Sequence, residues 1–473
     1  MVTHTLQQIY NTKSKILILG SFPSVKSRET GFYYGHPQNR FWKVLSAVLM
    51  VNTPVTTKEK TNMLLSHGIA LWDVIASCDI TGSSDSSIAN VTANDLEPLI
   101  LASNISVIYC NGHKAFTLYE KYIKPALSKK KIINPNAIEL PSTSPANAAW
   151  SLDALINSWN RILSGLRRSN FHTHYYSLND YSTDYYNKKL YRLSLDGGFS
   201  CPNRDGTIGY GGCIFCSNEG SGDFSGSRNI SITKQLEDQK ALIARKLPKT
   251  KPVGYIAYFQ AYTGTYDNIS RLKALYYEAI NDSSVDILSI ATRPDCISDD
   301  VLQLLAKLNK VKPVWIELGL QTIHPKTAQY IRRGYELKVY NQAVTNLRKI
   351  GISQIITHVI LGLPGETPAM MKKTIDHVCK CGSNGIKLQL LHVLQGTDLA
   401  LDYEKGSFGI MSLDEYKMLL GDICTMLPPD MVVHRFTGDG NKKTLIAPLW
   451  SGDKKNVLNT VNSYLATLDS FYN

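Results

Sequence analysis

Short apolar runs alternate along the chain with longer stretches of mixed polarity. In the first third, Lys15–Gly20 (KILILG), Gly68–Ile75 (GIALWDVI), Val107–Cys110 and Ile138–Leu140 read as buried strands. Helices are expected before Met50, near Asn94–Ala102 and before Leu163. Each apolar run opens into a polar loop: Ser21–Ser24, Ser27–Trp42, Asn111–Gly112 and Pro141–Trp150. Ligands bind open α/β sheets at such carboxyl ends, so the pattern predicts an α/β unit with a composite cleft. Beyond Arg192 six runs predict strands: Tyr191–Leu195, Val253–Phe259, Asp286–Thr292, Val314–Leu320, Ile355–Leu361 and Ile386–Leu391. Helical stretches separate them at the spacing of a β/α barrel.

At 473 residues the chain exceeds one ordinary domain. The stretch SGLRRSNFHTH (Ser164–His174) has no apolar period and supplies the break: a first domain over 1–165, a linker over 166–174 and a second domain over 175–473. The tail from about 402 is expected to cap the barrel opening. No apolar run reaches a membrane span, and the opening MVTHTLQQIYNTKSK lacks the apolar core of a signal peptide, so a cytoplasmic protein with no membrane partner is expected. Nine cysteines, an odd number, argue against a disulfide framework. A formal charge of +12 spread over both halves favours a polyanionic partner.

Between Tyr175 and Arg192 six tyrosines are interleaved with Lys188, Lys189 and Arg192. They could clamp single-stranded RNA or pack beneath the barrel, and packing is the preferred expectation.

The cysteines carry the chemistry. Cys201, Cys213 and Cys216 sit in one glycine-rich loop, SCPNRDGTIGYGGCIFCS, with spacing C-x11-C-x2-C directly after the first barrel strand. A structural zinc takes four protein ligands, and Cys296 or a distant His would have to complete it. An iron–sulfur cube on three thiolates instead leaves one iron open. Gly206, Gly209, Gly211 and Gly212 suit a backbone wrapped closely around a bound body.

This loop resembles that of radical S-adenosylmethionine (SAM) enzymes, with Phe215 in their aromatic position before the last cysteine. The long first interval, CPNRDG and GGC.FC narrow the likeness to the YtqA/YhcC branch, related to the radical SAM half of the Elongator catalytic subunit. HRFTGDG (His434–Gly440) and APLWS (Ala447–Ser451) resemble that branch too. The likeness implies a partial (β/α)6 TIM-type barrel and a [4Fe–4S] cluster on Cys201, Cys213 and Cys216. It further implies SAM on the open iron, split reductively to methionine and a 5′-deoxyadenosyl radical. It places Tyr262 and Thr263 at the SAM amine, Glu317 at the ribose, Leu363 to Gly365 at the adenine and Arg293 at the carboxylate. Glu317 and Gln321 are expected to flank the end of the fourth strand, and His358 and His392 are open between catalytic and supporting roles.

The loops of the first domain, GSFPS, SRETGFYYGHPQNRFW and LPSTSPANA, resemble the uracil-DNA glycosylase superfamily and, within it, the hypoxanthine-DNA (deoxyinosine) branch. That likeness implies an open three-layer α/β/α domain that flips a base from the stack. The first loop lacks the Asp or Asn that many relatives use on the attacking water, which argues against uracil excision. Asn39 becomes the water-positioning or transition-state-stabilising residue and Asn111 a reader of the base edge. Phe22, Tyr33 and Tyr34 would offer stacking faces. Ser142, Ser144, Pro145 and Asn147 match the motif that wedges into DNA and contacts phosphates.

The expectation is therefore an α/β fusion of a deoxyinosine glycosylase and a radical SAM enzyme. Its partners would be deoxyinosine-containing DNA, a tRNA modified at the wobble uridine, and an electron donor such as flavodoxin or ferredoxin. The alternatives are a radical enzyme acting on a protein or small molecule, with the first half only a nucleic-acid-binding module, and a non-enzymatic zinc protein.

Overall fold

The computed structural model describes residues 1–82, 87–130, 135–167, 175–217, 225–248, 252–428, 430–438 and 442–470. Most of the expected linker, from 168 to 174, lies outside them. The chain forms two compact units, one holding the elements through Ile162–Arg167 and the other those from Tyr176–Ser177 onward.

The first unit is built on four parallel strands, β1 (Ile16–Gly20), β2 (Ile69–Asp73), β3 (Val107–Asn111) and β4 (Ile138–Leu140), in the order β2-β1-β3-β4. Successive side chains leave a strand on opposite faces. Accordingly Ile16 and Ile18 pack with Phe41, Trp42 and Trp159 on one side, while Leu17 and Leu19 pack with Leu96, Leu99 and Tyr119 on the other. The expected three layers result. GIALWDVI proves to be two strands, because Val74 and Ile75 turn aside to bond the carbonyls of Gly20 and Ser21. The second piece, Ile75–Asp79, joins Val2–Thr3 and Ala89–Ala93 in a small antiparallel sheet. The helix expected over Asn94–Ala102 is confined to Glu97–Leu101, since Asp95 accepts the Glu97 N–H and stops it from starting earlier.

The second unit is built on a sheet of eight parallel strands: β5 (Tyr176–Ser177), β6 (Lys189–Leu195), β7 (Val253–Phe259), β8 (Val285–Thr292), β9 (Val314–Gln321), β10 (Gln354–Leu361), β11 (Gly385–Leu390) and β12 (Val432–Arg435). Their order is β5-β12-β11-β10-β9-β8-β7-β6. The six expected strands are all present as a β/α half-barrel, and two more extend it. β12 comes from the tail read as a cap, and β5 from the tyrosine-rich segment. Ser231, Asn268, Ser298, Thr367 and Ser412 open helices packed around the sheet, each side chain accepting the backbone N–H three residues on.

One face of this sheet packs on those helices through residues such as Leu193, Phe259, Ile290 and Ile316. On the other, Ile256, Tyr258, Trp315 and Ile356 pack with Tyr176 and Tyr181. Tyr181 stacks on Tyr185 at 4.4 Å and meets Trp315 edge-on at 5.9 Å. The tyrosines thus fill the base of the barrel, and truncating fully buried Trp315 there would cost about 3–5 kcal/mol.

Candidate active sites

The cysteine loop is organised by its own polar residues. Buried Asn203 donates through Nδ2 to the Arg332 carbonyl at 2.6 Å and to Cys213 Sγ at 3.6 Å, while its carbonyl accepts from Gly212 at 2.9 Å. Arg204 donates to the carbonyls of Cys216 and Ser217. Gly206, Gly211 and Gly212 take left-handed backbone conformations, and a side chain on Gly212 would meet Arg204. These glycines fold the long interval back on itself.

Cys213 and Cys216 are hydrogen-bonded to one another, with Cys201 within electrostatic reach. The bond from Cys216 pulls the Cys213 thiol down to about 7 against the effect of burial, helped by Arg293, Asn203 and Arg332. Cys296 differs: burial and then Asp295 push its thiol up to about 12. Among the described residues no three His, Cys, Asp or Glu side chains are grouped to hold a single metal ion.

The loop opens onto a cavity of about 840 Å³ at the carboxyl ends of the strands, with Phe215 and Cys216 on its wall. Gln321 ends β9 with φ of 68°, and its Oε1, buried against the cavity, has no hydrogen-bond partner. Three thiols, one poised to ionise near neutrality, beside an aromatic ring and an orphaned amide oxygen fit a cluster with a polar ligand next to it.

The residues expected at SAM are distributed unevenly. Tyr262 (φ of 56°) follows β7, its ring flanked by Arg204 and Arg228 guanidiniums, each 5.5 Å from the centroid. Thr263 is buried and its N–H bonds the Ser200 carbonyl at 3.2 Å, tying this turn to the cysteine loop. Leu363 is buried beside Ile214 and Leu391, and Gly365 (φ of 80°) stands in open space two residues on. Arg293 is buried and spends Nε and one terminal nitrogen on Asp295, at 3.0 and 2.7 Å.

Glu317 is a correction. It stands halfway along β9 rather than at its end, and it is fully buried. Its carboxylate accepts from Tyr258 Oη at 2.9 Å, Ser289 Oγ at 3.2 Å and Lys387 Nζ, meets His358 Nε2 at 2.8 Å and has Arg192 at 3.6 Å. So committed a carboxylate is the hub of the barrel interior rather than a ribose ligand. Burial alone would raise its pKa, but Lys387, Arg192 and His358 outweigh burial and hold it well below the usual carboxyl range. Burial lowers His358 to about 4, so its imidazole is neutral at neutral pH. Sequence reasoning missed Lys387 and Arg435; the one available signal was a charge at the inward position of an apolar strand.

In the first unit the structure brings Asn39 and Asn111 together through a residue the sequence had not singled out. Thr143, fully buried, donates Oγ1 to Asn39 Oδ1 at 3.1 Å, accepts from Asn111 Nδ2 at 3.0 Å, and gives its N–H to Asn111 Oδ1 at 3.0 Å. Asn39 Oδ1 also accepts the Phe41 N–H, which fixes the amide orientation and leaves Nδ2 as its presented pole. Arg40 braces the motif, donating to the carbonyls of Ser144, Asn147 and Trp150. Within the motif Ser142 Oγ accepts from Ser144 N, Asn147 Nδ2 donates to the Ser142 carbonyl, and Pro145 is exposed.

Two of the three expected stacking rings are not open faces. Phe22 packs into the core beside His4 at 6.0 Å, and Tyr33 is buried with its hydroxyl on the Gln7 carbonyl at 3.0 Å. Tyr34 is half-buried and stacks on Phe41 at 3.9 Å. A buried His4–Asp73 pair, 2.9 Å apart, lies at the end of β2, where a side chain on Gly20 would collide with Asp73. Neither residue stood out in the sequence.

These two sites define an enzyme of two kinds, a radical SAM enzyme joined to a uracil DNA glycosylase superfamily domain. The matches agree: residues 7–163 match the uracil DNA glycosylase superfamily, 203–378 the radical SAM superfamily and 383–467 the radical SAM C-terminal domain. The YtqA protein of Bacillus subtilis is 43% identical over 303 residues, 64% of this chain and 93% of that one. A hypoxanthine DNA glycosylase of Methanosarcina acetivorans is 33% identical over 153 residues, 32% of this chain and 92% of that one. A tRNA uridine(34) acetyltransferase of Dehalococcoides mccartyi is 26% identical over 156 residues, 32% of this chain and 33% of that one. The chain belongs to the YtqA/YhcC branch of the radical SAM superfamily through its second unit and to the uracil DNA glycosylase superfamily through its first. Its cofactors are a [4Fe–4S] cluster and SAM. Among the described residues no helix is long and apolar enough to cross a membrane.

Proposed function

We propose that the radical SAM unit modifies the wobble uridine of a tRNA and that the glycosylase unit removes hypoxanthine from DNA. Cys201, Cys213 and Cys216 would hold the cluster, with Phe215, Tyr262, Thr263, Arg293 and the Leu363–Gly365 turn around SAM. Held there, the cluster and SAM would supply the radical chemistry needed for hydrogen abstraction. Gln321 and Gln389 would orient the substrate in the cavity, and the apolar wall of Ile360, Leu390 and Leu391 would limit water.

The observation that carries the RNA reading is the cavity wall. Exposed Lys442 and Lys443, with Lys454, line it together with Cys216. Lysines beside an active site suit a phosphate backbone. The likeness to the tRNA uridine(34) acetyltransferase supports the same class of substrate.

In the glycosylase unit, departure of a purine builds positive charge on the sugar and negative charge on the base. Asn39 presents an N–H donor held by Thr143 and Phe41, which suits the leaving base better than the attacking water. Asn111 keeps one N–H for the base edge, and Ser142, Ser144, Pro145 and Asn147 form the DNA-facing turn.

The test is nucleoside mass spectrometry of bulk tRNA incubated anaerobically with the reconstituted protein, SAM and reductant. Loss of one wobble-uridine species with gain of another supports the reading; an unchanged nucleoside profile beside continuing SAM cleavage would reject tRNA. Duplexes carrying deoxyinosine or deoxyuridine test the other unit, with abasic sites expected only from the first.

A further inference from the structure

The floor of the barrel cavity carries more positive charge than its own carboxylate can answer. Arg192, Lys387 and Arg435 reach it from β6, β11 and β12, and among the described residues no Asp or Glu lines the cavity. Glu317 lies behind this surface and is shared among Lys387, Arg192, Tyr258, Ser289 and His358. Arginine does not lose its proton in proteins, so two guanidiniums face one carboxylate even if Lys387 is neutral. The Nε of Arg192 and the Nε of Arg435 are both buried with no hydrogen-bond partner. One terminal nitrogen of Arg192 bonds His434 Nδ1 at 2.9 Å, and one of Arg435 bonds Gln389 Oε1 at 3.1 Å. A buried, incompletely paired charge is costly, and guanidinium forks match planar or tetrahedral oxyanions.

We infer that Arg192 and Arg435 form an oxyanion-binding subsite at the floor of the cavity, which takes a carboxylate or phosphate on the part of the substrate that enters the barrel. This deepens the reading of the cavity as the substrate site of the radical SAM unit and rests on it. Arg192 lies three residues before the end of β6, below the loop that bears the cysteines, so the subsite sits deeper than the thiols. Gln389 lies beside it and keeps one amide N–H beyond the one given to His358, a neutral donor that fixes orientation without adding charge.

The test uses the full-length, cluster-loaded protein and no RNA. Thermal loss of the cluster's visible absorbance, which reports the barrel unit alone, is followed in acetate, phosphate and chloride at equal ionic strength. Acetate or phosphate is expected to raise the transition by about 2 °C or more over chloride, and the better of the two identifies the oxyanion. Arg435→Gln should abolish the shift, and Arg435→Lys, which keeps charge but loses the fork, should reduce it. Equal transitions in all three salts, or a shift that persists in Arg435→Gln, would overturn the subsite. A shift that vanishes with saturating SAM would assign these cations to the SAM carboxylate and overturn it equally. Because tRNA is absent, failure here leaves the tRNA reading standing, and failure of tRNA as substrate leaves the subsite standing.

Discussion

His358 Nε2 lies 2.8 Å from the carboxylate of Glu317, and its Nδ1 lies 3.3 Å from Gln389 Nε2 at the cavity wall. The imidazole thus links a buried charge to the surface that faces substrate. Since Nδ1 accepts from the Gln389 amide, Nε2 carries the proton and donates it to Glu317. One residue fixes the tautomer of the next.

That arrangement sets an acid limit. Burial, with Lys387, lowers His358 from the ordinary value of about 6.5 to about 4, so the unfolded chain binds a proton that the folded one refuses. Below pH 6.5 stability is lost progressively until about pH 4, by roughly 3 kcal/mol from this group. Urea unfolding of the barrel unit between pH 7 and 4 should show the loss, and His358→Gln should reduce it, leaving the part due to buried His434. An equal slope in the variant would reject the assignment.

Glu317→Gln should destabilise the barrel by about 3–5 kcal/mol, because it leaves Arg192 and Lys387 buried beside a neutral amide. Lys387→Met should cost less, about 1 kcal/mol, since Glu317 keeps Tyr258, Ser289, His358 and Arg192. Chemical unfolding compares the two. Equal costs would mean that Lys387 is as central to the cluster as Glu317.

Asn203→Ala removes the donor to Cys213 Sγ and the tie to Arg332. Partners of this kind commonly cost a site roughly 10-fold or more in metal affinity. Iron retention during titration with a chelator should fall by about that factor while the fold, read by circular dichroism, is kept. Unchanged retention would show that the loop holds its shape without Asn203.

Thr143→Val keeps the shape of the side chain and deletes the hydroxyl between Asn39 and Asn111. Excision of hypoxanthine should slow about tenfold with DNA affinity little changed. A loss confined to affinity would place Thr143 in the DNA contact rather than behind the two amides.

The fold was legible where a strand is apolar along its length. Val253–Phe259 and Ile138–Leu140 coincide with their expected bounds, and the other core strands do so within a residue or two. β5 was not legible, since Tyr176–Ser177 is two residues long and is a strand only because β12 lies beside it. The cysteine trio could be read because metal chemistry needs fixed residue types at close spacing. Glu317 was found but misplaced, since sequence does not say how far along a strand the barrel mouth begins. Thr143, Arg192, Lys387 and Arg435 act through partners distant in sequence, and for Lys387 and Arg435 the local signal was only a charge at the inward position of an apolar strand.

The central claim, that Cys201, Cys213 and Cys216 build a radical SAM centre opening onto the barrel cavity, is tested most directly by 5′-deoxyadenosine release. The anaerobically reconstituted, reduced protein would be assayed with SAM, with and without bulk tRNA, beside Cys213→Ala. The account predicts release that tRNA stimulates and that Cys213→Ala abolishes. Bound zinc in place of iron, or full iron loading with no release from SAM, would contradict it.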